Sequence, residues 1–262
     1  MKLRNHCNGF EVLPIPIYED GIGLSELYET NAKIVHIAPS HQFPMGVVMP
    51  IHKRMEILNW AREHDNIIVE DDYDSEFRYH GKPIPSLQSI DQYERVIYIG
   101  TFSKALSPGL RVAYMILPNW LLPAYRERFA GYQCTVPLIE QKVLARFMAD
   151  GQWEKHLRRI CSAQKKKHDI LIDAVKKTMG EKVRIWGHQA GLHILLEFLD
   201  GQQEDELVQK ALEYNIKVCP VSPFWLNKQN YPKNALVLGY GMIAEGDIER
   251  AIALLANAWF SR

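Results

Sequence analysis

A short apolar run, an amphipathic helix and a second apolar run follow one another between residues 34 and 69. Ile34 to Ala38 is rich in β-branched residues, and Ile67 to Val69 is fully apolar. Between them, Ile51, Met55 and Leu58 recur at helical spacing. A strand–helix–strand unit of this kind makes its two strands parallel and buried. The pattern therefore predicts an α/β fold with a mostly parallel sheet.

The alternation of strands and helices continues to the end of the chain. Two more strands are predicted at 95–100 and 111–117, and a long helix with a polar middle is predicted over 153–179. Shorter strands and helices follow it, and the last helix places Ile248, Ile252, Leu255 and Trp259 on one face. We expect a large domain over residues 1–155, an interdomain helix over 156–180 and a small α/β domain over 181–262.

Composition narrows the classes of function. Lys and Arg total 31, Asp and Glu total 31, and the formal net charge is zero, so nothing suggests a nucleic-acid or acidic membrane surface. The four cysteines form no CxxC pair, and scattered thiols are typical of a cytoplasmic protein. The chain lacks a long apolar stretch, and its histidines show no HxxxH or HExxH spacing. We expect a cytoplasmic protein with no membrane span and no metal site.

Carboxylates cluster directly after the strand at Ile67 to Val69. The segment from Glu70 to Phe77 reads EDDYDSEF. In a parallel sheet, the loops at the carboxyl ends of the strands line the ligand crevice. A carboxylate there is partly desolvated, so it favours a cation or hydrogen-bond donors as neighbours. Taken alone, such a segment is more often a solvated acidic turn.

A lysine lies in a loop of small, hydroxyl and apolar residues between two predicted strands. The loop TFSKALSPGLR contains Thr101, Ser103, Lys104, Ser107 and Arg111. A desolvated lysine amine is the nucleophile that forms imines with aldehydes. The hydroxyls and the guanidinium are suited to bind phosphate. An ordinary surface loop with a solvated lysine explains the segment equally well when it is taken alone.

The acidic segment and the lysine loop together suggest one cofactor. Pyridoxal 5′-phosphate (PLP) needs a lysine for its aldehyde and an acid for its pyridine nitrogen. Both segments follow strands of the same predicted sheet, so they can face one crevice. The pair therefore indicates a PLP site with Lys104 as the anchor.

The same two segments carry a family resemblance. The run IIVEDDYDSEFRYHGKPIPSL, followed by VIYIGTFSKALSPGLRVAYMILP, closely resembles the PLP-binding domain of MocR-type regulators in the GntR family. VHIAPSHQFPMGVVMP and GQWEKHLRRI are also similar to that family. Such regulators join a DNA-binding winged helix to a fold-type-I aminotransferase domain. The resemblance covers nearly the whole chain and implies fold-type-I architecture, with 1–155 as a partial PLP-binding domain.

The resemblance implies roles for residues around the cofactor ring. Lys104 matches the lysine of the internal aldimine, and Asp71 matches the acid that pairs with the pyridine nitrogen. Tyr73 matches the phenol that donates to the cofactor's 3-oxygen, and His41 lies in the stretch that faces the ring. Most aminotransferases have Asn-Pro-Thr-Gly where this chain has FPMG at 43–46, so the asparagine contact is missing.

The resemblance also implies a phosphate site and indicates where it is incomplete. Thr101, Ser103 and Arg111 match the phosphate ligands. The chain starts late relative to the family, so we expect it to lack both the winged helix and the helix start that binds phosphate. Val237 stands where many aminotransferases have an arginine for the substrate carboxylate, and a valine cannot form that ion pair. A truncated sheet is expected to expose apolar edges.

Three functions remain open from the sequence. The first is a PLP-dependent aminotransferase acting on a small-molecule amine or amino acid. The second is a sensor domain that binds PLP and an effector amine without full turnover, and the third is an inactive fragment. The resemblance also implies a homodimer, and without the winged helix we expect no DNA binding by this chain alone.

Overall fold

The computed structural model describes residues 6–7, 9–227 and 231–261. Twelve strands in this part of the chain form two four-stranded sheets and two short hairpins. The strands are β1 His6–Cys7, β2 Phe10–Glu11, β3 Ile17–Tyr18, β4 Gly21–Ile22, β5 Ile34–Ile37, β6 Ile67–Asp72, β7 Val96–Thr101, β8 Ala113–Ile116, β9 Val183–Trp186, β10 His193–Phe198, β11 Cys219–Pro220 and β12 Ala235–Gly239. The helices are α1 Leu24–Tyr28, α2 Ile51–Glu63, α3 Leu87–Ile90, α4 Leu122–Phe129, α5 Leu138–Ala149, α6 Gln152–Met179, α7 Glu204–Glu213 and α8 Ile248–Phe260.

The N-terminal sheet has the strand order β5-β6-β7-β8. β5, β6 and β7 are parallel, and β8 pairs with β7 in the antiparallel direction. Helix α2 crosses between β5 and β6 and buries Ile57, Trp60 and Ala61 against this sheet. The predicted strand–helix–strand unit and the mostly parallel sheet are therefore confirmed.

The acidic segment begins inside β6 and not after it. Glu70, Asp71 and Asp72 continue the strand, and residues alternate between half-buried and buried along its length. Buried Glu70 is stabilised because its carboxylate accepts hydrogen bonds from the backbone N–H groups of Leu87 and Gln88, both at 2.9 Å. The prediction that the strand ended at Val69 was wrong, because these acids find partners within the fold.

The C-terminal sheet is antiparallel, with the order β11-β12-β10-β9. Helices α6, α7 and α8 cover one face and bury an apolar core. The four apolar positions predicted for the last helix, Ile248, Ile252, Leu255 and Trp259, are all buried there. The long helix α6 exposes most of its first half and buries apolar residues mainly after His168.

Two sequence predictions of secondary structure were wrong, and one helix was missed. The apolar residues at 12–17 predict a strand, but only Ile17 lies in one, β3, because Pro14 and Pro16 lack the N–H that a ladder needs. The pattern at 216–219 also predicts a strand, but β11 begins only at Cys219. Helix α4 was not predicted. None of its residues is buried, so its sequence needs no apolar stripe of the kind that reveals a helix packed on a core.

Two further features concern the surface. All four residues of β8 are exposed. Within the described residues, none of the helices combines the length and apolar character that a membrane crossing requires. The division into domains at 155 and 180 stays a prediction.

Candidate functional site

The carboxyl ends of β6 and β7 bring the two predicted segments to one edge of the N-terminal sheet. In the parallel register, Asp71 is opposite Ile99 and Asp72 is opposite Gly100. Thr101 ends β7, and the loop that carries Lys104 follows at once. The register therefore supports the inference that the acidic segment and the lysine loop share a crevice.

Asp71 and Asp72 point to opposite faces of the sheet because neighbouring strand residues alternate. The Asp71 carboxylate lies on the more exposed face, where its Oδ2 is 3.4 Å from Nε2 of His36 on β5. The buried Asp72 accepts hydrogen bonds from the hydroxyls of Tyr98 at 2.6 Å and Ser75 at 2.8 Å. Asp71 is thus the more accessible of the two acids for a ligand.

Neighbouring segments of the same chain hold the Lys104 loop at both ends. The backbone N–H of Phe102 donates to the Val112 carbonyl, and His156 Nε2 lies 2.7 Å from the Ala105 carbonyl oxygen. Lys104 itself is exposed. Its loop is therefore fixed while its amine remains accessible.

The predicted phosphate ligands surround the start and end of the same loop. The Thr101 hydroxyl donates to Ser103 Oγ at 3.0 Å, and the Ser103 N–H donates back to Thr101 Oγ1 at 3.1 Å. Among the described residues, no hydrogen bond uses the hydrogen of the Ser103 hydroxyl. Arg111 is exposed and has a left-handed backbone with φ of 52°. This donor set fits an anion, although its assignment to phosphate stays a prediction.

Tyr73 and His41 lie deeper than the sequence suggested. The Tyr73 hydroxyl donates to the backbone carbonyl of His41 at 2.6 Å, so its single hydrogen is already in use. The His41 side chain is fully buried, and its Nδ1 is 2.8 Å from Oδ2 of Asp74. His41 is therefore enclosed by protein and does not line an open crevice, and its role as a cofactor contact stays a prediction.

Sequence analysis missed Asp74 and His193 as members of this site. Burial raises the pKa of Asp74, while the charges of His41 and Lys104 oppose that rise. Burial, with the neighbouring His41 and Lys104, lowers the pKa of His193 to about 3. The charge of Lys104 acts on both residues. Long sequence separation hid their neighbourhood: His41 lies in the turn after β5 and His193 begins β10, yet their ring centroids are 4.4 Å apart.

Val237 lies in an apolar cluster on the other face of the C-terminal sheet. It is buried there with Leu195, Val221 and Ala235, and Trp225 packs against them. A carboxylate placed among these side chains would lose hydration without gaining a cation from position 237. The sequence prediction that this position cannot grip a substrate carboxylate is consistent with its surroundings.

A cleft of about 760 Å³ opens along β5, at the edge of the N-terminal sheet. Its walls include the segment from Phe10 to Leu13, and His36 is one of its lining residues. The same His36 contacts Asp71. The edge of the N-terminal sheet therefore has room for a small molecule, and His36 separates that room from the predicted cofactor acid.

A cluster of two histidines and an aspartate lies elsewhere. His80 is too far in sequence from His168 and Asp169 to form a spacing motif with them. Ligand atoms of His80, His168 and Asp169 lie within 4.8 Å of one another. Asp169 already pairs with His168 Nδ1 at 3.0 Å and with Lys165 Nζ at 2.8 Å.

Comparison with curated proteins finds transcriptional regulators. The chain is 44% identical to the uncharacterized HTH-type transcriptional regulator YdeL of Bacillus subtilis over 254 residues, which are 97% of this chain and 54% of that protein. It is 28% identical to the probable rhizopine catabolism regulatory protein MocR of Rhizobium meliloti, with 97% of this chain and 51% of that protein covered. The chain thus spans about half the length of these relatives.

Comparison with solved structures finds aminotransferases. LysN, the alpha-aminoadipate aminotransferase of Thermus thermophilus complexed with N-(5′-phosphopyridoxyl)-L-leucine, matches with a TM-score of 0.85 and 27% identity. The match covers 95% of this chain and 65% of that one. Pyrococcus horikoshii kynurenine aminotransferase, in complex with PMP, matches with a TM-score of 0.84 and 29% identity over 93% of this chain and 62% of that one. These matches confirm the fold-type-I architecture.

A family model covers most of the chain. The model for aminotransferase class I and II matches residues 7–235, which include the N-terminal sheet, the Lys104 loop and the C-terminal sheet up to the start of β12. The chain therefore belongs to the aminotransferase class I and II family, and its curated relatives include MocR-type regulators.

Proposed function

We propose that this chain binds PLP through Lys104 and acts on a small-molecule amine or amino acid as an aminotransferase-type protein. The observation that carries the proposal is the shared sheet edge, where the β6–β7 register brings Asp71 beside the strand that leads to Lys104. When bound, PLP supplies an aldehyde that condenses with lysine and a ring that accepts electrons from the substrate. Two similar solved structures are complexes with N-(5′-phosphopyridoxyl)-L-leucine or PMP, which supports the choice of cofactor.

Each residue of the site has a defined task in this proposal. Lys104 would present the amine that holds the cofactor and would hold the proton taken from the substrate's α-carbon. Asp71 keeps a positive charge at the pyridine nitrogen. Ser103 and Arg111 bind the phosphate together with Thr101. Tyr73 reaches the 3-oxygen only if its hydrogen leaves the His41 carbonyl.

The wider organisation is also proposed. The N-terminal sheet belongs to a large domain over 1–155, an interdomain helix over 156–180 connects this domain to the next, and 181–262 form a small domain. We place the protein in the cytoplasm, since the cysteines at 134, 161 and 219 are free. We propose a homodimer, because α5 exposes Leu138, Ile139 and Val143. The balanced charge gives no support for DNA binding by this chain alone.

Borohydride trapping tests the Lys104 assignment. Purified protein is incubated with PLP, reduced with borohydride and digested, and the peptides are measured by mass spectrometry. The reduced adduct should appear on Lys104, disappear in Lys104→Ala, and remain in the control Lys142→Ala, whose lysine lies on the exposed helix α5. Absence of an adduct on the wild-type Lys104 would overturn the proposal.

A second function is favoured by one observation. Val237 is buried among apolar side chains, so its position provides no cation for an α-carboxylate. This favours a sensor domain that binds PLP and an effector amine without turnover. Keto acid production from a panel of amino donors supports the enzyme. A change in cofactor absorbance with an amine, without product, supports the sensor.

A further inference from the structure

The turn at 41–46, which follows β5, contacts the segment at 187–193, which leads into β10. We propose that His41 is a positioning residue: its ring, held by Asp74, sets the C-terminal sheet against the N-terminal sheet through Gly191, while its carbonyl holds Tyr73. The part that concerns Tyr73 rests on the proposed PLP function. The part that concerns the contact between sheets is independent of it.

The His41 ring is fixed from the N-terminal side. His41 and Asp74 have side-chain exposures of 0% and 3%, and Nδ1 is 2.8 Å from Oδ2. Water is excluded from such a pair, so the hydrogen bond between them is strong and rotation of the ring would break it. The charged groups that act on Asp74 are His41, Asp72 and Lys104. The ring therefore has one defined orientation.

Gly191 fits against this ring only because it lacks a side chain. A Cβ at position 191 would lie 1.9 Å from Cε1, 2.1 Å from Nδ1 and 2.5 Å from Nε2 of His41. These distances are far below contact distance, and Asp74 prevents the ring from moving away. The backbone of residue 191 and the imidazole ring are thus in direct steric contact.

The Gly191 backbone is itself anchored to both sheets. Its N–H donates to the Phe77 carbonyl at 2.7 Å. Its carbonyl accepts hydrogen bonds from the hydroxyls of Tyr79 at 2.8 Å and Tyr240 at 2.7 Å. Phe77 and Tyr79 follow β6, whereas Tyr240 follows β12. A displacement at Gly191 therefore strains hydrogen bonds that join the two halves of the molecule.

A second contact lies directly beside the first. His193, two residues after Gly191, has its Nε2 3.2 Å from the Pro44 carbonyl oxygen. A Cβ on Gly46 would lie 2.7 Å from Cα of Gly187. The turn at 41–46 and the segment at 187–193 therefore meet closely along their length.

His41 links this contact to the proposed cofactor site. The Tyr73 hydroxyl donates to the His41 carbonyl, and Asp74 directly follows Tyr73 in the chain. Movement of His41 would therefore move the phenol of Tyr73 as well as the segment at Gly191. One residue thus couples the position of the C-terminal sheet to a predicted cofactor contact.

A double-mutant cycle tests the contact between sheets. Gly191→Ala should lower the folding equilibrium constant well beyond the control Gly201→Ala. Both glycines have positive φ, 79° and 86°, but a Cβ at Gly201 meets nothing within 4 Å. Adding His41→Ala to Gly191→Ala should recover at least about tenfold of the loss, because the new methyl group then has room. The contact would be overturned by equal losses of stability in Gly191→Ala and Gly201→Ala, or by no recovery of stability in the double mutant.

Cofactor binding tests the coupling to Tyr73. The apparent dissociation constant for PLP and the fraction of Lys104 trapped by borohydride are measured for wild type, His41→Ala and His41→Asn. Asparagine retains a donor near the position of Nδ1, so it should bind PLP within a few-fold of wild type, whereas alanine should weaken binding by about tenfold. A purely structural role lowers stability in His41→Ala and leaves PLP affinity unchanged, which would refute the coupling.

The two experiments keep the two proposals apart. If wild type forms no Lys104 adduct, the PLP function and the Tyr73 coupling both fail, while the unfolding cycle still decides the contact between sheets. If His41→Ala does not fold, His41→Ser replaces it in the Gly191→Ala background, since serine has no atom at the Nδ1, Cε1 or Nε2 positions that the new methyl group would meet. Failure of serine to relieve Gly191→Ala then counts against the contact.

Discussion

His193 shows how burial changes the chemistry of one side chain. The imidazole lies within contact distance of His41 and is flanked by Phe43 at a ring separation of 5.2 Å. Burial, the first cause, lowers its pKa from 6.5 to about 3, with His41 and Lys104 adding to the effect. His193 therefore carries no charge at neutral pH, and it cannot act there as a general acid.

The depressed pKa of His193 predicts a pH-dependent loss of stability. Below pH 6.5 the His193 imidazole is protonated in the unfolded chain, whereas in the folded chain it stays neutral down to about pH 3. The free energy of unfolding should therefore fall as the pH drops through this window. His193→Gln keeps a donor for the Pro44 carbonyl but does not titrate. Between pH 6.5 and 4.5, its free energy of unfolding should decline by roughly 1 to 3 kcal/mol less than that of wild type. If the free energies of unfolding from urea denaturation fell equally with pH in wild type and His193→Gln, the prediction would be contradicted.

At the scale of elements, Arg54 connects helix α2 to the loops around it. Its buried guanidinium donates from Nε to the Met49 carbonyl at 3.1 Å, from Nη1 to Pro85 at 2.8 Å and from Nη2 to Pro39 at 2.9 Å. The carboxylates of Glu70 and Asp72 act on its charge. One side chain thus fixes the loop after β5 and the loop before α3 to the same helix.

Replacement of Arg54 should destabilise the N-terminal sheet. A lysine has one ammonium group and cannot reach three carbonyls in three directions. Arg54→Lys should therefore lower the free energy of unfolding by about 2 to 4 kcal/mol, measured by urea denaturation. The control Arg62→Lys lies on the same helix but is exposed, and it should change stability by less than about 0.5 kcal/mol. Similar values for the two variants would show that the three hydrogen bonds contribute little.

At the scale of the whole molecule, many large apolar side chains are exposed on β8, α4, α5 and the segments between them. A folded monomer would normally cover them. They are Tyr114, Met115, Ile116, Trp120, Phe129, Tyr132, Leu138, Ile139 and Val143. Tyr132 is 77% exposed and Ile139 is 73% exposed. A surface of this kind favours association with another chain, which is consistent with the proposed homodimer.

Charged substitutions on α5 should reduce association. Ile139→Lys combined with Val143→Glu places charges on the exposed face of the helix without removing buried contacts. Sedimentation velocity should show a shift from dimer or larger species toward monomer, by a factor of about ten or more in the dissociation constant. Leu212→Lys, on α7 and 47% exposed, is the matched control and should leave association unchanged. Unchanged association in the α5 variant would contradict the proposed role of this face.

The sequence by itself determined the local and periodic features. Ile34 to Val69 predicted the parallel unit because strand and helix periods are properties of neighbouring residues. The same reasoning placed the four buried residues of the last helix and brought Asp71 and Lys104 to one sheet edge, although the roles of these two remain proposals. It failed where proline breaks a pattern, as at 12–16, and where no residue is buried, as in α4.

Only the tertiary structure decided the contacts between distant segments. His41, Asp74 and Gly191 meet although they are separated by 33 and 117 positions (74 − 41 and 191 − 74). No period or spacing relates such residues, since their contact depends on how two sheets are packed. Burial then changed their chemistry, because the pKa of His193 and of Asp74 depends on the water that packing removes. Lys104 and Asp71 could be proposed from sequence, whereas the His41 network became visible only when the chain was folded.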